Sequence, residues 1–146
     1  MFIQIVLGTG LLISNLVVMA IAALLLEVGF RRAHPWLIAE PQRPKLLVLL
    51  IGVGIWVLAI VTVGVWSWAA TLHRLGAFAT LEEAVYYAME SFTTLGLGDV
   101  VPSTEWRILA VMSAVNGFLS FGLLTALLVE ALRQVRLAQL ENRRHQ

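Results

Sequence analysis

Residues 80–101 read TLEEAVYYAMESFTTLGLGDVV, and the fold turns on how this stretch is interpreted. Thr80-Leu81-Glu82-Glu83 has the pattern of a capping box, in which the Thr80 hydroxyl accepts from the Glu83 amide and the Glu83 side chain reaches back to the Thr80 amide. A helix is therefore expected over 80–92. Glu82 and Glu83 lie where a helix dipole favours negative charge, and Ala84 to Met89 supply a wide apolar face. Such a helix is about 18 Å long, too short for a hydrocarbon core of about 30 Å. It should dip into a membrane and return. Non-helical backbone at that depth survives only inside protein or along a hydrated path, which draws attention to Thr94-Leu95-Gly96-Leu97-Gly98-Asp99. Alternating backbone signs point successive carbonyls the same way, and Gly96 and Gly98 adopt the unusual sign without strain.

The sequence on either side is that of a membrane protein. Of the 146 residues, 60% are hydrophobic and 13% charged, and the net charge is +1, far from the balance of a soluble domain. Residues 2–26 carry no charge before Glu27, Arg31 and Arg32, which predicts a first spanning helix over 1–30. A cleaved signal peptide fits less well, because no Lys or Arg precedes the apolar run and no small-x-small site follows it. Residues 31–45 hold Pro35, Pro41 and Pro44 among His34, Glu40 and Arg43, so a short polar connector is expected there. A second helix is expected over 46–70, with Trp66 and Trp68 near an interface, and a third over 105–132. Eight of the ten basic residues fall in two groups, four within 31–45 and four in the tail 133–146, whereas Arg74 stands alone between Thr71 and Thr104. Both basic groups read as cytoplasmic, with the amino terminus and residues 71–104 outside. They mark topology and give no case for nucleic acid. The chain lacks cysteine, which removes disulfides and thiolate chemistry. The first span has no regular arginine spacing of the voltage-sensor kind, and His34, His73 and His145 are dispersed.

Residues 84–101, AVYYAMESFTTLGLGDVV, resemble the pore helix and filter of potassium channels, whose usual signature is TVGYGD. Residues 116–126, NGFLSFGLLTA, resemble the pore-lining inner helix of small bacterial channels of the KcsA type. The resemblance covers about residues 46–130 and implies an all-α membrane protein of three transmembrane helices plus a re-entrant pore helix and filter loop. It also implies a homotetramer conducting potassium or other monovalent cations across a plasma or inner membrane. Potassium ions would be bound in transit at Thr94, Leu95, Gly96 and Leu97, with no other cofactor. The pore module is then 46–132: outer helix 46–70, pore helix 80–92, filter 94–99 and inner helix 105–132. Phe118, Phe121 and Thr125 would face the central cavity, with Gly117 a hinge candidate.

The sequence departs from the family at Leu97, where a tyrosine is usual. The backbone ligands remain, but the hydroxyl that joins the filter to pore-helix aromatics, here Tyr86 and Tyr87, is missing. Weak cation selectivity is therefore an alternative. Glu90 and Asp99 match a carboxyl pair behind the filter that could share one proton; a Glu90 facing water is the plainer reading. For Gly117, helix packing is the alternative to hinging. Glu130 could attract cations at the inner mouth or simply pair with Arg133 one turn on. Gly-Leu-Gly-Asp also matches intramembrane aspartyl proteases, but their chemistry needs two aspartates and Asp99 is the sole one in the sequence. An enzyme is not expected. A non-conducting regulatory subunit of the same fold is a further class.

Overall fold

The computed structural model describes residues 1–38 and 42–144. Among them the fold is all-helical: α1 Phe2–Ile38, α2 Gln42–Arg74, α3 Leu81–Phe92 and α4 Arg107–Arg144, with a 3-10 turn at Thr104–Trp106 leading into α4. Three segments are long and apolar enough to cross a membrane, Phe2–Arg32, Leu47–Arg74 and Thr104–Gln134. The expected spanning helices are thus present, with α3 as the short fourth helix.

The helix ends differ from expectation. α1 continues through Arg31, Arg32 and Pro35 to Ile38, and α2 begins at Gln42, so most of the expected connector 31–45 is helical. Pro44 falls in the first turn of α2, where a missing N–H costs nothing, and Pro35 removes one hydrogen bond close to the end of α1. Residues 39–41, with Glu40 and Pro41, lie outside the described residues, as do His145 and Gln146. α4 runs to Arg144, so the expected tail is helical; its Leu, Gln, Glu, Arg and Ala residues all favour that state.

Side-chain pairings set the directions of the helices. Gln4 meets Ile108 and Leu109, and Met19 meets Ser120, so α1 and α4 run parallel. Asn15 meets Ser67, and Trp56 Nε1 donates to the Ala22 carbonyl, so α2 runs against them. The amino terminus therefore lies at the same end of the molecule as α3. α2 stops there in a Schellman motif: Gly76, at φ 73°, donates to His73 O at 3.0 Å and Ala77 to Leu72 O at 2.9 Å, with glycine at the left-handed position.

The main core sits at this end. Val65, Trp68, Ala69 and Leu72 of α2 pack with Ala84, Tyr87, Ala88 and Phe92 of α3 and with Leu109 and Ala110 of α4. Trp68 is completely buried in this cluster, whereas Trp66 is 49% exposed. Along α4, Leu109, Ala110, Ser113, Asn116, Gly117, Ser120 and Leu124 are buried, a spacing of three and four that defines one stripe. Small residues in that stripe let the neighbouring helices approach closely. Ser113 and Ser120 return their hydroxyls to the Ala110 and Asn116 carbonyls at 2.6 and 2.7 Å, whereas the buried Asn116 Nδ2 has no hydrogen-bond partner.

Candidate functional site

The capping box of α3 is formed: Glu83 N donates to Thr80 Oγ1 and Thr80 N donates to Glu83 Oε2, each at 3.2 Å. The other end of α3 shapes the loop. Thr94 N donates to Ser91 O at 3.0 Å and Leu95 N to Glu90 O at 2.9 Å, a second Schellman pattern with Thr94 where glycine is usual. Thr94 accordingly has φ 57°, and Gly96 and Gly98 follow at 56° and 75°. Leu95 and Leu97 are absent from the positive-φ residues, so the sign alternates from 94 to 98. A β-branched residue at positive φ stores strain of about 1–3 kcal/mol, a cost that marks functional loops.

Asp99 closes the loop back onto α3. Its Oδ2 accepts from the Tyr86 hydroxyl at 2.9 Å and its Oδ1 from Val100 N at 3.0 Å. The hydrogen bond to Asp99 is the largest of the effects that raise the Tyr86 pKa above its ordinary value of 10.0, because a phenol can donate only while protonated. Burial is the main cause of the upward shift at Tyr87, whose ring packs 4.9 Å from that of Phe78. Glu90 is only 6% exposed, and its Oε2 has no hydrogen-bond partner. The water-facing reading of Glu90 is therefore corrected: α3 turns this carboxyl inward. The hydrogen-bond donors to Asp99 are Tyr86 and the Val100 amide. Glu90, Thr94, Gly96, Gly98 and Arg107 line a groove of about 590 Å³ between α3, the loop and α4.

The α4 candidates divide between two faces. Phe118, Phe121 and Thr125 share an exposed stripe, Phe118 being 71% exposed, opposite the stripe packed on the other helices. Gly117 belongs to the packed side: a Cβ there would overlap the carbonyl and Cα of Phe92. Glu130 accepts from Arg133 Nε at 3.0 Å and from Gln134 Nε2 at 3.0 Å, forming the expected surface pair. Sequence reasoning missed Phe92 as the contact of Gly117, and missed Gln4 and Asn15 of α1, whose partners lie 104 and 52 residues away.

Residues 48–134 match the family model described as "Ion channel". That is more than half of the chain, and the protein belongs to this ion-channel family. It is a multi-pass membrane protein, and its family membership points to ion transport rather than catalysis. No solved structure matches the chain significantly. α1 lies before the matched residues.

Proposed function

We propose that the protein is a homotetrameric channel that passes potassium ions down their gradient through the Thr94–Gly98 backbone. The observation that carries this reading is the alternation of positive φ at Thr94, Gly96 and Gly98. Four such loops around an axis would offer rings of carbonyls at Thr94, Leu95, Gly96 and Leu97 in place of an ion's hydration shell. Thr94 would add its hydroxyl at the inner ring. The exposed α4 stripe with Phe118, Phe121 and Thr125 supports a water-filled cavity below the filter, and the exposed Leu95 and Leu97 side chains leave surface for neighbouring copies to cover. The grouping of basic residues favours the loop end outside and the carboxyl terminus in the cytoplasm, in a plasma or inner membrane.

The Tyr86–Asp99 bond offsets part of what Leu97 removes, since a pore-helix hydroxyl still ties the loop to α3. Leu97 nonetheless favours a second reading, a channel of weak selectivity among monovalent cations. Purified protein in planar bilayers, with potassium on one side and sodium on the other, separates the readings. A reversal potential near the potassium equilibrium value is expected. A value near zero leaves a weakly selective channel. Absence of flux in any cation identifies a non-conducting subunit.

A further inference from the structure

α1 precedes the ion-channel match, yet its polar side chains meet the conduction module at both flanks of the loop. The first contact is at the exit. α4 opens with backbone N–H groups that have no intrahelical acceptor. Gln4 Oε1 of α1 accepts from Ile108 N at 3.1 Å and from Leu109 N at 3.2 Å. A residue of another helix thus serves as the amino-terminal cap of α4, past the 3-10 turn Thr104–Trp106 that follows the loop.

The second contact is at the root of the loop. Asn15 is 6% exposed, and its Nδ2 donates to Ser67 Oγ of α2 and to Leu11 O, both at 3.0 Å. Ser67 in turn donates to Gly64 O at 2.8 Å. A Cβ at Gly64 would stand 2.9 Å from the tip of the Phe92 ring and 3.4 Å from Asn15 Oδ1. Phe92 is 1% exposed, its ring against Gly64 of α2 and its backbone against Gly117 of α4. It is also the last residue of α3, two before Thr94. The four helices therefore converge where the loop begins, and the Asn15–Ser67 bond holds α1 in that convergence.

We infer that α1 is a positioning element of the conduction loop: Asn15 fixes its start through Ser67, Gly64 and Phe92, and Gln4 fixes its end by capping α4. The functional consequence rests on reading residues 94–98 as a filter; the positioning itself does not. The hydrogen-bond partners of Gln4 and Asn15 lie outside residues 94–98, so both act through the elements they hold.

The test uses the full chain in lipid nanodiscs and liposomes. Gln4→Leu removes the acceptor at similar size, Gln4→Glu restores an acceptor, and Asn15→Leu with Ser67→Ala removes the second bond without stranding its partner. Backbone amide exchange of Leu95 to Asp99 should accelerate about tenfold in Gln4→Leu and in the double variant, the effect of losing one buried hydrogen bond. Exchange should return to the parent rate in Gln4→Glu and stay unchanged in the middle of α2. The potassium-to-sodium permeability ratio should fall in the same two variants and recover in Gln4→Glu. Unchanged loop exchange in folded Gln4→Leu and the double variant would overturn the inference. Faster exchange together with an unchanged ratio would also overturn it as a selectivity device. Altered exchange in a protein that passes no ions would instead sink the channel reading and leave the positioning role standing.

Discussion

Tyr86 is the residue on which the stability of the loop can be tested most directly, because its hydroxyl reaches from α3 to Asp99 across 13 positions of sequence. Tyr86→Phe removes that donor and leaves the ring in place, so current through the reconstituted protein should decay several times faster under maintained voltage, with expression unchanged. An identical decay would count against the tether. The same bond predicts a pH dependence. The folded pKa of Tyr86 lies above the ordinary 10.0, so its contribution is complete below that value and is lost as pH rises through the raised one. Steady currents from the parent protein should hold up to about pH 10 and decay faster above it, a change that Tyr86→Phe should lack. The residue types of this contact were legible in the sequence, but its pairing was not: Asp99 lies beyond a loop whose path depends on three positive φ angles. Glu90 shows the same limit, since its carboxyl is aimed inward by the rotation of α3 against α2 and α4.

At the scale of elements, α3 was readable from Thr80 and Glu83 because a capping box is a local arrangement whose partners are three residues apart. The ends of α1 and α4 were less legible, since Pro35 costs α1 only one hydrogen bond near its end and a charged tail of good helix formers simply continues the helix. The contact of α3 with α4 depends on Gly117, where the Phe92 backbone occupies the space of a side chain. Gly117→Val should lower stability by about 1–3 kcal/mol, the usual cost of overpacking, read as a fall of several degrees in the thermal midpoint in detergent. Gly10→Val provides the control, as nothing lies within 4 Å of a Cβ at that position. Equal midpoints for the two variants would show that α3 and α4 do not rely on this approach.

At the scale of the whole molecule, a stripe of α4 with Phe118, Phe121 and Thr125 is exposed in the single chain, and the proposed tetramer would give that stripe a use. Because the sequence has no cysteine, single introduced thiols report on it without background. Thr125→Cys should lose most of its current when a charged, water-soluble thiol reagent is added from the carboxyl-terminal side. Leu124→Cys, which is 4% exposed in the parent chain against Met19, Ala22 and Ile60, should not. Protection of both thiols would place lipid or protein over the stripe. By itself the sequence determined three spanning helices, a capped short helix and a loop able to alternate its backbone, because hydrophobic length, cap spacing and glycine act over a few residues. Only the tertiary structure decided that Asp99 meets Tyr86, that Glu90 turns inward and that Gln4 and Asn15 of α1 grip the flanks of the loop. Those contacts join residues up to 105 positions apart, and they exist only after the helices have chosen their faces.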